Sequence, residues 1–515
     1  MAAAASRLPN FVFFIPDQYR GEALGHMGNP AVRTPHLDAL VGAEAVSFSN
    51  AYCQNPVCTP SRCSFMTGWY PHTRGHRTMS YLLQRDEPNL LRQLRRAGYH
   101  VWWGGKNDLV TDPVAYEASF DERHQAAVNH ENLHRNLEWR QNSEERWDYS
   151  FFAGKLEKNP GEEVYLDSDW AHVLAAEQFI RGWEGEGPFC VFLPLQYPHP
   201  PYGVEDPYFS AVDRSRLPAR IAAESLSGKP RMHGRLREEL QLDDRSEVWW
   251  DELRATYYGM CARIDEQAGR VLDALRESGH YDDTAFFLFS DHGDYTGDYG
   301  LVEKTQNLFE DCITRVPFIL KPPRSLGTHA GVRTGLIELV DFPATVYELA
   351  GIEPDYTHFG RSLLPLLEKD REHREVAFCS GGRNPGETHC AVECHGGHED
   401  ASYLYHPRLK VQQGDDIAHG KALMCRSKRF KLVIRLCERD EFYDLEADPG
   451  ETTNLIDDPA YARERERLRE HTQRFLLETG DVVPFRTDPR EVGQIDEQLE
   501  LPRSRCQSSR ATSLA

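Results

Sequence analysis

The chain has no long hydrophobic run. Nowhere in its 515 residues do apolar side chains approach the roughly 18 consecutive positions that a membrane span requires. Its opening, Met1-Ala2-Ala3-Ala4-Ala5-Ser6-Arg7, carries no apolar stretch of the kind an export signal needs, so the expected location is the cytoplasm. Basic residues are in short supply: 59 Lys and Arg against 81 Asp and Glu give a formal net charge of −22. That balance argues against nucleic acid or an anionic membrane as partner, and weakly against a long polyanionic substrate. There is no internal repeat. The twelve cysteines are scattered, and without an export signal they read as reduced thiols, not as a disulfide framework.

What is present is a soluble, globular composition in a chain too long for one ordinary core, so a large α/β domain with a smaller companion is expected. Phe11 to Ile15, Tyr99 to Trp103, Cys190 to Leu195, Ala285 to Phe289 and Val316 to Leu320 read as strands, mostly continuous apolar runs suited to burial on both faces of a parallel sheet. Helices alternate with them. One starts at Thr34-Pro35, one carries Leu90, Leu91 and Leu94 and stops at Gly98, one runs from about Trp249 to Ser278, and one is capped by Asp341. Residues from about 111 to 170 read as an insertion over the sheet, and 203 to 248 as charged and irregular. After about 372 the pattern changes to a small antiparallel sheet (Val376 to Phe378, Phe430 to Ile434, Phe442 to Leu445) and a charged helix from Tyr461 to Glu478. The expected domains are 1–372, 373–480 and a tail, 481–515, that could reach a neighbouring copy in a homo-oligomer.

Asp17, Lys106, His199 and the pair Asp291-His292 each fall just past the C-terminal end of an expected strand, the edge at which open α/β sheets bind ligands. Asp17, Asp291 and His292 can offer oxygen and nitrogen to a hard or borderline divalent cation: calcium, magnesium or manganese. Cys58-Thr59-Pro60-Ser61-Arg62, continuing to Thr67-Gly68, reads as a loop just ahead of a helix. Taken alone, Cys58 is a candidate thiol nucleophile beside an arginine, or a turn with a spare cysteine.

The same pentapeptide resembles the signature of the type I sulfatases, in the alkaline-phosphatase-like superfamily. Phe289-Ser290-Asp291-His292-Gly293 is similar to that family's second metal-binding motif, and Asn10 to Gln18 to its first. Thr34 to Asp38, Thr305 to Pro317, Asp341 to Gly351, Gly360 to Leu363, and Tyr443 to Leu445 with Asp448 to Glu451 are similar to further landmarks. The resemblance implies a large, mostly parallel sheet sandwiched by helices with a smaller C-terminal antiparallel sheet and helix. It implies that a formylglycine-generating enzyme oxidises Cys58 to formylglycine, the nucleophile. It further implies a metal, most often calcium, held by Asp17, modified Cys58, Asp291 and His292, with Gln18 an additional candidate. Arg62, Lys106 and Lys304 would neutralise the ester's charge, and His199 would assist the leaving oxygen. The implied substrate is a small sulfate ester.

Two departures stand out. Where the family commonly has two consecutive acids, this chain has Asp17-Gln18, a pattern shared with phosphonate monoester hydrolases, so hydrolysis of a phosphonate monoester or phosphodiester is the alternative. Where the family commonly has His two residues after the strand-end lysine, this chain has Asp108. Asp108 could be a base, could face a cationic substrate group, or could simply pair with Lys106 or Arg62. A catalytically silent binding protein on the same fold is the reading from another class. Cys379, His389, Cys390, Cys394, His395 and His398 could bind zinc or line the substrate mouth, although their spacing fits no strong template. Trp69, Tyr70, Tyr197 and Tyr202 could face an aryl or sugar leaving group or merely pack.

Overall fold

The computed structural model describes residues 8–126, 152–158, 161–390 and 405–485. Its centre is an eight-stranded sheet in the order Gly331–Arg333, Val46–Phe48, Phe318–Lys321, Thr284–Phe289, Asn10–Ile15, Phe189–Pro194, His100–Gly104, Glu122–His124. The five strands from Thr284–Phe289 to Glu122–His124 run parallel. Asn10–Ile15 lies in the middle, and its side chains alternate between two cores. Val12 and Phe14 pack with the helices of one face, while Phe11, Phe13 and Ile15 pack with those of the other. A strand buried on both sides has no polar face to present, which is why Phe11 to Ile15 and Ala285 to Phe289, within the strands Asn10–Ile15 and Thr284–Phe289, read as unbroken apolar runs.

The 31-residue helix Glu247–Glu277 covers one face, with Ser246 accepting from the Trp249 N–H as its N-cap. The other face is covered by Cys58–Thr67, Leu90–Arg96 and Asp341–Ala350. A second sheet, Ala377–Gly381, Ala422–Arg426, Phe430–Arg435 and Glu441–Asp444, is antiparallel throughout and carries the helix Ala462–Thr479. Among the described residues no helix is long and apolar enough to cross a membrane.

Several sequence expectations need correction. The run Val316 to Leu320 is two strands, not one: Pro317 has no N–H to give a ladder, and the chain changes sheets there. Arg315–Val316 pairs with Ala51–Tyr52, and Phe318–Lys321 joins the central sheet antiparallel. The supposed insertion contributes Glu122–His124 as an edge strand of the central sheet. The irregular stretch contains the helix Arg231–Leu240, and a helix at His406–Gly414 went unanticipated. Asp341 is the first residue of its helix, with Val340 at the N-cap.

Candidate active site

Cys58 is not in a loop: it is the first residue of the helix Cys58–Thr67, all of whose residues are buried. Pro60 is tolerated there because a first-turn N–H has no intrahelical partner to lose. The N–H before it, from Thr59, points at the Met79 Sδ at 3.3 Å. A helix N-terminus favours a thiolate. Here burial, joined by the Asp17 charge, outweighs it and pushes the Cys58 thiol well above its ordinary value.

The strand ends bring their side chains to this sulfur. Asp17 Oδ1 lies 3.6 Å from Cys58 Sγ, His292 Nε2 3.3 Å and Lys106 Nζ 3.7 Å. Arg62, one turn along the same helix, bonds Asp291 Oδ2 through Nε at 2.9 Å and Asp17 Oδ2 through Nη2 at 3.0 Å. Lys106 Nζ reaches Asp17 Oδ2 at 2.7 Å and Asp108 Oδ2 at 2.8 Å, so of the three readings of Asp108 the ion pair is the contact present. Burial alone would raise the Asp17 carboxyl, but Lys106 and Arg62 outweigh it and hold it well below the usual carboxylate range.

His292 donates from Nδ1 to the Gly293 carbonyl at 2.9 Å, which leaves Nε2 an acceptor. Burial lowers its pKa, so the ring is neutral. Its Nε2 faces Asp17 Oδ1 at 3.5 Å and Asp291 Oδ1 at 3.8 Å. Two carboxylate oxygens and an imidazole nitrogen thus converge, Asp291 Oδ1 braced by the Gln18 and His292 N–H groups and the Cys58 thiol facing the other two, a set of lone pairs that a cation can occupy. Among the described residues, Asp17, Cys58, Asp291 and His292 are the one group of three or more Asp, Glu, His and Cys side chains whose ligand atoms all lie within 4.8 Å. Two carboxylates and one imidazole suit a hard or borderline divalent ion.

Gln18 adopts φ 69°, a left-handed conformation that costs a non-glycine residue of order 1–3 kcal/mol. It is held on every side. Its N–H donates to Asp291 Oδ1 at 3.1 Å, its carbonyl accepts from the Tyr257 hydroxyl at 2.8 Å, and its amide spans Lys304 Nζ and Asp294 Oδ2. Lys304 Nζ also donates to His199 Nε2 at 2.8 Å, while His199 Nδ1 donates to the Pro200 carbonyl at 2.7 Å. Burial, then Lys304, pushes the His199 pKa well below its ordinary value. Lys304 Nζ therefore holds one of its protons against the His199 Nε2 lone pair.

Sequence reasoning missed three neighbours. Asp294 accepts from Gln18, Tyr202 and Thr296 and is pushed up to about 6 by burial against those bonds; its signal was its place two residues after His292. Tyr405 brings its hydroxyl to 3.4 Å from His199 Nε2, and Arg408 donates to the Lys304 carbonyl at 3.0 Å. No sequence signal links residues so distant. Of the two readings of the four aromatics, packing is the one their contacts match. Trp69, Tyr70 and Tyr202 are buried, with polar atoms on the Thr357 carbonyl, Glu338 and Asp294 respectively, and Tyr197 lies under Arg263. Of the Cys/His cluster, Cys379 is buried in the strand Ala377–Gly381, His389 and the buried Cys390 lie in the short turn Thr388–Cys390, and Cys394, His395 and His398 lie outside the described residues.

A mostly parallel sheet flanked by helices, with this polar set at its C-terminal edge and a separate antiparallel sheet beside it, is an alkaline-phosphatase-like architecture. The chain matches the Sulfatase family model over residues 9–352 and belongs to that family. It is 26% identical over 511 residues to the multifunctional alkaline phosphatase superfamily protein PehA of Trinickia caryophylli, covering 91% of this chain and 94% of that one. It is 26% identical over 491 residues to an arylsulfatase of Clostridium perfringens, covering 90% and 93%. Its fold superimposes on the phosphonate monoester hydrolase of Agrobacterium radiobacter with a TM-score of 0.70 at 23% identity, covering 92% of this chain and 96% of that one.

Proposed function

We propose that this protein hydrolyses a small sulfate ester, releasing sulfate and an alcohol or phenol, with Cys58 as the site of a formylglycine nucleophile. The observation that carries the reading is the convergence of Asp17, Cys58, Asp291 and His292, ringed by Arg62 and Lys106, at the C-terminal edge of the sheet. Asp17, Asp291 and His292 would hold a divalent cation, calcium foremost, and Gln18 is an adjacent candidate. Bound there, the ion supplies charge neutralisation for the ester oxygens and the attacking hydroxyl. Lys106 and Lys304 bring further positive charge to the ester, and Arg62 fixes both carboxylates from behind.

The raised pKa of the buried thiol favours a modified residue over a thiolate. Oxidised and hydrated, residue 58 carries two hydroxyls on one carbon. One attacks sulfur as its proton passes to a carboxylate, and the ester C–O oxygen leaves with the proton held between Lys304 and His199. The second hydroxyl then loses its proton, its oxygen reforms the aldehyde, and sulfate departs. Asp108, paired with Lys106 at 2.8 Å, is the candidate base for that last proton.

A second reading, hydrolysis of phosphonate monoesters or phosphodiesters, is favoured by the single acid at Asp17-Gln18. The fold's likeness to phosphonate monoester hydrolases fits it as well. The test is kcat/KM on an aryl sulfate and an aryl phosphonate monoester, using protein from a host that can oxidise the motif. The peptide containing Cys58 is weighed in the same preparation. A higher value on the sulfate with residue 58 as formylglycine is expected. Preference for the phosphonate installs the second reading, and an unmodified, inactive, metal-free protein would leave only a binding role.

A further inference from the structure

His199 sits in a loop that begins where the strand Phe189–Pro194 ends, and a loop after a strand has no ladder to hold it. Its fixation comes from below. Asp169, in the first turn of the helix Ser168–Arg181, is 1% exposed. Both of its oxygens accept the Gln196 N–H, at 2.9 and 3.0 Å, and Oδ2 also accepts the Tyr197 N–H at 2.8 Å. A buried carboxylate spending itself on two consecutive peptide N–H groups is a costly and directional arrangement.

The gripped peptides lead straight to the site. The Gln196 carbonyl accepts the His199 N–H at 2.9 Å, and the Tyr197 carbonyl accepts the Asp17 N–H at 3.1 Å. One carboxylate thus sets the turn carrying His199 and ties it to the backbone of Asp17. The Tyr197 ring is fixed independently. The fully buried Arg263 lies 4.0 Å from its centroid and is held by Asp167 at 2.6 Å and Glu205 at 3.3 Å. Asp167 and Asp169, two residues apart, therefore clamp one segment, the first through Arg263 and the second directly.

We propose that Asp169 is a positioning residue that holds His199, and with it the hydrogen-bonded His199–Lys304 pair, against the leaving oxygen. The inference rests on the reading of that pair given above. It predicts a particular kind of defect. Proton donation matters most when the leaving oxygen is basic, so loss of positioning should weigh on poor leaving groups and spare good ones. A carboxylate that merely stitches helix to loop would not discriminate between them.

The test compares Asp169→Asn, His199→Ala and the double variant on a 4-nitrophenyl ester and on a phenyl or alkyl ester of the same acid. Both the nucleophile modification and thermal unfolding are checked for each protein. Asp169→Asn should lose about 10- to 100-fold in kcat on the poor leaving group and clearly less on 4-nitrophenolate. The double variant should lose little more than His199→Ala. Asp169→Glu, which keeps the charge but displaces the loop by one methylene, should show the same bias and serves if the amide variant fails to fold. Equal losses on both substrates, or losses that multiply in the double variant, would overturn the proposal. If His199→Ala itself shows no leaving-group bias, the proton-donor reading fails first. If His199→Ala shows the bias and Asp169→Asn does not, only the role of Asp169 falls.

Discussion

Of the clusters of buried charge among the described residues, two make a direct comparison, and only one of the two has the makings of a reaction site. Where the C-terminal sheet meets the central domain, the fully buried Lys431 donates to the Phe309 carbonyl at 2.8 Å, to Asp311 Oδ1 at 2.7 Å, and to both oxygens of Glu451 at 2.7 and 2.8 Å. Asp311 also takes Arg426 at 3.2 and 2.8 Å, and its own N–H goes to Glu451 at 2.9 Å. There, donors meet acceptors and the cluster closes on itself. At the sheet edge, cations occupy one oxygen of each carboxylate, Asp17 Oδ2 and Asp291 Oδ2. Asp17 Oδ1, Asp291 Oδ1 and the lone pair of His292 Nε2 are left facing one another around Cys58. Burial of charge does not by itself mark function, since both clusters have it. Lone pairs of several side chains converging on one point do.

The largest expected effect breaks the comparison in two directions at once. Lys431→Met leaves Asp311 and Glu451 without their common cation, so it should cost about 3–5 kcal/mol of stability, read by denaturant unfolding. Turnover per folded molecule should stay within a few-fold. Arg62→Met should do the reverse to activity, lowering kcat by at least about 10³-fold, because it frees Asp17 and Asp291 from the geometry in which they face Cys58. If Lys431→Met abolishes turnover in folded protein, the two clusters are not separate in role and the contrast fails.

A second, smaller effect sharpens the claim about the three acceptors. Calcium added to metal-stripped protein should raise the unfolding temperature, since an ion bound only by the native state at about 100 times its dissociation constant contributes about 2.7 kcal/mol. Asp291→Asn should lose most of that shift, and Glu451→Gln, in the closed cluster, should keep it. A shift unchanged in Asp291→Asn would place the ion elsewhere. This measurement needs no turnover and is independent of what residue 58 has become.

How much of this could be read without coordinates follows from the same contrast. The strand-end residues Asp17, Lys106, Asp291 and His292 were legible because buried apolar strands announce themselves, and whatever follows them must lie at the sheet edge. Cys58 and Arg62 were legible as a local pattern four residues apart, one helical turn, although the helix was expected to begin after Cys58 and not at it. The supporting residues were not legible. Asp169 acts on peptides 27 and 28 residues away, and Tyr405 meets His199 across 206 residues. Such contacts are set by how helices dock on the sheet, which no local propensity encodes. Pro317 was a readable signal overlooked: a residue without an N–H inside an apparent strand marks the point where the strand ends.

Asp108 gives the most discriminating effect. It pairs with Lys106 at 2.8 Å, and its side chain is 20% exposed, so the pair lies between the two clusters in character: charged, half-open to solvent, and next to the sulfur-facing set. If Asp108 only neutralises Lys106, Asp108→Asn leaves Lys106 its shorter bond to Asp17, at 2.7 Å, and the change should be a few-fold in KM with kcat intact. If Asp108 takes the proton that lets sulfate leave, the first turnover should be as fast as in the parent and the following ones slow. A pre-steady-state burst of alcohol would then appear in the variant, followed by turnover lowered by about 10²-fold or more. We expect the burst, because Asp108 stands two residues past a strand-end lysine that itself lies 3.7 Å from Cys58 Sγ. Proportional loss in both phases would assign Asp108 to substrate charge, and no change in either would return it to the class of closed, self-satisfied pairs that Lys431 exemplifies.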